Sequence, residues 1–229
     1  MDSSQGRHPL PAQSLKDGQA PGPPPVPEPL KRFIWDIQSM VELTDDEREI
    51  LLVGRDLMAR LVACDDWLPS VFTVPDPARR QQFQLYADGL ERFSVVASIL
   101  AAGQILHPAL DPVWEIIGLL RGSAALGRIA IAPDGRPAAH GFARQAPPEI
   151  MRQGSVAAFR SANRDALSLG NELEDSVTVA IHVYGGELTK FARRTFTAGG
   201  EALTEPARYA NPAHAPPYDI FSIQTRIED

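Results

Sequence analysis

Cysteine is almost missing: Cys64 is the single one in 229 residues. An internal disulfide and a thiolate zinc cluster are thereby excluded, and a reducing compartment is expected, with Cys64 a buried or inert thiol. Positive charge is short as well, with 22 Lys and Arg against 29 Asp and Glu and a formal net charge of -7. A chain of this sign repels phosphate backbones and anionic lipid surfaces, so neither nucleic acid nor membrane is expected as a partner. Long apolar runs are absent too. Stretches such as Val95 to Ala102 and Ile116 to Leu120 fall well below the roughly 20 residues that span a bilayer. Met1 to Leu10 hold acidic, basic and polar groups where a signal peptide carries an apolar stretch. The expectation is a soluble cytoplasmic protein.

Proline, by contrast, is plentiful and clustered. Residues 1–28 are dominated by Pro, Gly, Gln and Ser, including Pro23, Pro24 and Pro25, and are expected to form a disordered tail. Such segments also serve as docking peptides for aromatic grooves. Residues 29–229 are read as one domain, with a helical segment at 29–85 and a β-barrel at 86–229.

Two helices are expected first. In the second, Thr44 with Glu47 fits a capping box, and Ile50, Leu51, Leu57, Met58, Leu61 and Val62 form an apolar face. Trp67-Leu68-Pro69 and Pro75-Asp76-Pro77 then break helical order. Beyond Leu90, short runs rich in Val, Ile and Phe alternate with Gly, Pro and Asp, which is the pattern of a sandwich or barrel. The predicted strands are Phe93 to Leu100, Trp114 to Leu120, Ala125 to Ala132, Val156 to Phe159 and Val177 to Val183. Pro206 to Tyr218 reads as an irregular segment laid over the barrel.

Several motifs in order resemble one family. They are Asp65-Asp66-Trp67-Leu68-Pro69, Pro75-Asp76-Pro77-Ala78-Arg79, Leu90-Glu91-Arg92-Phe93, Gly118-Leu119-Leu120-Arg121-Gly122, Ile181-His182-Val183-Tyr184-Gly185-Gly186 and Tyr209-Ala210-Asn211. Together they are similar to bacterial members of the cysteine dioxygenase family over roughly residues 30–221, in the branch of 3-mercaptopropionate dioxygenases. The resemblance implies an all-β fold, a cupin of the RmlC-like jelly-roll type with N-terminal helices. It also implies three histidines around a non-heme ferrous iron that converts a thiol to a sulfinic acid. Imidazoles suit that ion because they leave coordination positions open for thiolate and dioxygen.

In this chain the family's ligand positions fall on Ala109, Asp111 and Ala157. A methyl group has no electron pair to donate, so the expected ferrous centre is lost and no cofactor is expected, with Fe(II) the cofactor if the chain is active after all. A rebuilt site is the alternative. His107, Asp111 and Glu115 share strand parity with Ala109, Glu115 stands where many cupins carry a metal-binding glutamate, and His182 is a possible further donor. Pro108 and Pro112 interrupt that strand, and the bland reading leaves His107 in a turn and Glu115 paired or solvated.

His182 and Tyr184 alternate along one strand face and match the last two members of a Ser-His-Tyr relay in the family, whose serine position is Ala180 here. Gln82, read on a helix ending, matches a glutamine that orients the substrate carboxylate, and Arg80 replaces an aromatic residue and is a possible anion partner. Two functions follow: a non-catalytic binding or regulatory module, for a small thiol or carboxylate or for an active paralogue, and a thiol dioxygenase with an unconventional metal site.

Overall fold

Two amphipathic helices open the folded chain. The computed structural model describes residues 25–106, 113–129, 147–161, 166–171, 173–196 and 202–220. Helix α1 (Glu28–Leu43) starts behind Pro27, carries a proline in its first turn, and buries Leu30, Phe33, Ile34, Ile37 and Met40 at helical spacing. Helix α2 (Glu47–Leu61) buries Ile50, Leu51, Leu57, Met58 and Leu61. Its cap differs from the capping box read from Thr44 and Glu47. Asp46 is the N-cap, accepting from the Arg48 amide at 2.8 Å, while Thr44 Oγ1 accepts from the Asp46 amide at 3.1 Å. Asp46 sits directly before the first helical residue, so its short carboxylate reaches the free amides first. Glu47 is thereby released to accept from the Ser161 amide at 3.2 Å and from the Ser161 hydroxyl.

Two antiparallel sheets follow. The first holds β1 (Gln81–Ala87), β2 (Ser94–Leu100), β4 (Glu115–Arg121), β7 (Val156–Phe159) and β9 (Thr178–Tyr184), in the order β1-β2-β9-β4-β7. The second holds β3 (Ile105–Leu106), β5 (Ser123–Ile129), β6 (Glu149–Arg152) and β8 (Ala166–Gly170), in the order β3-β8-β5-β6. A separate hairpin joins β10 (Ala192–Phe196) and β11 (Ala202–Pro206).

The pairings are nested. β2 pairs with β9, β3 with β8, β4 with β7 and β5 with β6. The run β2 to β5 is therefore one arm of a long hairpin and β6 to β9 the other, rolled so that consecutive pairs alternate between the two sheets. This is the double-stranded β-helix of the cupins, as the sequence resemblance implied. The sheet begins at Gln81, inside the segment 29–85 read as helical, because glutamines at 81, 82 and 84 obscure the strand pattern.

Both faces of the first sheet are covered, which is why β2 and β9 are buried at every position. Val95, Ala97 and Ile99 of β2, with Val179, Ile181 and Val183 of β9, join the helices in one core. Leu100, Ile117, Leu119 and Ala180 turn the other way and meet Leu126, Met151, Leu167 and Leu169 between the sheets. Among the described residues, no helix is long and apolar enough to cross a membrane.

The stretch after β11 is irregular, as expected, and it covers the exposed edge of β1. Ala210 donates its amide to the Gln82 carbonyl at 2.7 Å and Tyr218 to the Leu85 carbonyl at 2.8 Å. Between them Asn211 clamps Gln84, accepting from its amide at 2.8 Å and donating to its carbonyl at 2.9 Å, with a further bond to the Ala215 carbonyl at 3.1 Å. This closes an edge that would otherwise offer a pairing template. Replacing Asn211 with alanine should cost about 2–3 kcal/mol, since three bonds are lost and the Gln84 backbone is left unpaired. A urea titration checks this, and an unchanged midpoint would show the clamp to be dispensable.

Candidate functional site

Strand register builds the interior wall of the first sheet as a grid. His182 on β9 lies opposite Val96 on β2 and Ile117 on β4, and Ile117 lies opposite Ala157 on β7. One row along, Tyr184 lies between Ser94 and Glu115, and Glu115 lies opposite Phe159. One row the other way, Ala180 lies between Ser98 and Leu119. Directly opposed residues share a face, so His182, Ala157, Glu115, Tyr184 and Ser98 all face the space between the sheets.

Three of these make contact. His182 is fully buried, and its Nδ1 lies 2.9 Å from Glu115 Oε1, with Glu115 itself only 5% exposed. In the neutral-imidazole tautomer that donates Nδ1–H to the carboxylate, Nε2 is the acceptor. The Tyr184 hydroxyl stands 3.3 Å from the same Nδ1, and the phenol stacks on the imidazole with ring centroids 5.6 Å apart. His182 Nε2 is buried and has no hydrogen-bond partner among the described residues. A buried acceptor without a partner is costly, and it marks where a ligand or water would bind.

Gln82 joins the wall in a way the sequence reading did not anticipate. It sits in strand β1 rather than on a helix ending, it is 4% exposed, and its Nε2 donates to Ser98 Oγ at 3.1 Å. Ser98 is the cross-strand partner of Ala180, the position at which the resemblance implies a serine. A hydroxyl is thus present beside that position, carried by the neighbouring strand. Only strand register reveals it. Arg80 does not join the group through its described contacts: it is exposed, and its Nη1 donates to the Ile105 carbonyl at 3.0 Å.

Further along the wall, Glu187 collects a second polar cluster. It accepts from Gln84 Nε2 at 2.6 Å and from the Tyr209 hydroxyl at 3.0 Å. Burial, and then the Glu187 carboxylate, hold the Tyr209 phenol far above the ordinary tyrosine range, so it acts as a donor. Tyr209 and Val113 pack against Val96, Tyr184, Leu188 and Ala207 at this end of the barrel.

Ala157 is half-buried on β7, two strand spacings from His182 in the same row, which is roughly 10 Å. His107, Ala109 and Asp111 lie outside the described residues. Among the described residues, no three His, Cys, Asp or Glu side chains gather as a metal site.

No protein-family model matches the chain. Among solved structures, a protein of Thermus thermophilus is 12% identical, with 51% of this chain and 92% of that one covered at a TM-score of 0.39. A protein with a double-stranded β-helix domain from Klebsiella pneumoniae is 12% identical, covering 61% of this chain and 93% of its own at a TM-score of 0.37. An RmlC-like cupin family protein from Methanocaldococcus jannaschii is 10% identical, covering 49% and 85% at a TM-score of 0.34. The fold assignment rests on the nested strand pairing rather than on these likenesses.

Proposed function

We propose that this cupin is a cytoplasmic relative of the thiol dioxygenases that has lost the ferrous centre and retains the barrel as a binding or regulatory module. The observation that carries the reading is Ala157, whose place in the interior row with His182 puts a methyl group on the wall where the resemblance calls for an imidazole. A three-histidine iron site does not fit a chain that carries alanine at two of the ligand positions the resemblance implies, Ala109 and Ala157. What the pocket retains is a recognition surface. Gln82 with Ser98 offers uncharged hydrogen-bonding groups, and His182 Nε2 offers a buried acceptor. Such a wall suits a small ligand with its own donor, and the family likeness favours a thiol or carboxylate, or an active paralogue as partner.

The test is elemental analysis of the purified chain with oxygen-uptake assays on cysteine, cysteamine and 3-mercaptopropionate. No stoichiometric iron and no substrate-dependent oxygen consumption are expected. About one tightly held iron per chain together with turnover of any of the three would overturn the reading.

One observation favours the alternative of a rebuilt metal site. An imidazole whose Nδ1–H is held by a carboxylate, with Nε2 free, is the arrangement typical of metal-ligating histidine. In that alternative Glu115 orients His182 rather than binding the metal directly, with His107 and Asp111 as further donors. His182→Ala would then abolish metal retention, and Glu115→Gln would weaken it.

A further inference from the structure

The second sheet sends a cation into the space between the sheets. On β5, Ala124 and Leu126 face the interior core, and Arg128 continues that alternation, with interior Leu167 of β8 opposite it. Its side chain reaches across toward the first sheet, and its Cζ stands 5.1 Å from the centre of the Phe159 ring. Phe159 is buried on β7 and lies opposite Glu115. The chain path brings this about. β4 runs into the corner at Gly122 and β5 runs out of it in the other sheet, so Arg128, near the end of β5, comes level with Glu115, the first residue of β4.

An exposed arginine is ordinarily a solvated surface charge. Arg128 is exposed, yet it stands at the end of the interior wall rather than on an outer face, and the Phe159 ring holds it there. Among the described residues no carboxylate pairs with it. Two acids of the wall are engaged by other donors: Glu115 by the His182 imidazole, and Glu187 by Gln84, Tyr209 and Thr189. A guanidinium offers a planar fork of donors that matches a carboxylate.

We infer that Arg128 anchors the charge of the pocket's ligand, a short-chain carboxylate that carries a hydrogen-bond donor at its other end. This rests on the reading of the pocket as a small-ligand site. The donor goes to His182 Nε2, the buried acceptor without a partner among the described residues. Phe159 and His182 are separated by two strand spacings and one row of the wall, or about 12 Å between backbones. Two hydrogen bonds of about 3 Å each leave room for a chain of a few bonds. Gln82 lies at the opposite edge of the sheet, on β1, and is bound to Ser98, so it supplies polarity rather than charge.

The test is calorimetric titration of the full chain, and of Arg128→Gln and Arg128→Lys, with 3-mercaptopropionate and with its neutral amide. The unsubstituted chain is expected to bind the acid about tenfold more tightly than the amide. Arg128→Gln should erase that preference and leave the affinity for the amide unchanged, which shows the pocket intact. Arg128→Lys keeps the charge without the fork and should retain part of the preference. If both probes bind and the preference survives Arg128→Gln, or if that change weakens both probes equally, the inference alone is overturned. Saturation by neither probe would overturn the small-ligand reading of the pocket together with it.

Discussion

Glu115→Leu should lower the unfolding free energy by about 2–4 kcal/mol, seen as a lower urea midpoint at unchanged slope. The reason lies on the opposite strand. His182 has no solvent exposure, and its Nε2 is already without a partner among the described residues, so removing the carboxylate weakens the hold on Nδ1 as well. Among the described residues the Tyr184 hydroxyl remains near that nitrogen, at 3.3 Å against the 2.9 Å of the lost carboxylate. Leucine fills the space but accepts nothing, so the desolvation cost of a buried donor is felt in full. Glu115→Gln keeps an amide oxygen for the same N–H and should cost about 1 kcal/mol. The contrast between the two variants measures the pair, because a defect of packing alone would appear in both. If leucine is tolerated as well as glutamine, the imidazole is satisfied elsewhere and Glu115 does not hold it.

That pair shows where sequence reading stops. Alternation along a single strand places His182 and Tyr184 on one face, since it needs only a period of two. Joining His182 to Glu115 means crossing 67 positions of chain, and only the register of β4 against β9 supplies the contact. The same limit hid Ser98, whose hydroxyl lies on the neighbouring strand opposite Ala180. Strand recognition followed burial. β2, β4, β7 and β9 were legible within a residue or two as apolar runs because helices cover one face and the second sheet the other. β5 was legible but placed two residues late at its start. β1 escaped because Gln81, Gln82 and Gln84 punctuate it, although Gln82 is buried against Ser98. β6 escaped because it is a mostly exposed edge strand, and β3 because two residues carry no period at all. The capping box misled through a different competition: Asp46, two residues nearer the helix, took the capping role from Thr44.

Gly122→Ala should cost about 3–5 kcal/mol, whereas Gly103→Ala should cost about 1–2 kcal/mol. Sequence alone does not rank these two glycines. Both have left-handed backbone, φ 83 at Gly122 and φ 71 at Gly103, so a side chain at either carries the conformational penalty. Their surroundings separate them. Around Gly103 nothing among the described residues lies within 4 Å of an added Cβ, but at Gly122 that atom would stand 2.7 Å from the Val177 carbonyl oxygen and 3.3 Å from Thr178 Cα. Those neighbours are backbone and cannot rotate aside. Gly122 is also the sole residue between Arg121, which ends β4 in the first sheet, and Ser123, which begins β5 in the second. At that crossing Thr178 Oγ1 donates to the Ser123 carbonyl at 2.7 Å, fixing β9 to the corner. A shift large enough to admit a methyl group therefore has to move the start of β9, the strand that carries His182 and Tyr184. Paired urea titrations of the two alanine variants decide the matter, and equal losses at both sites would show that the corner yields more easily than its packing implies.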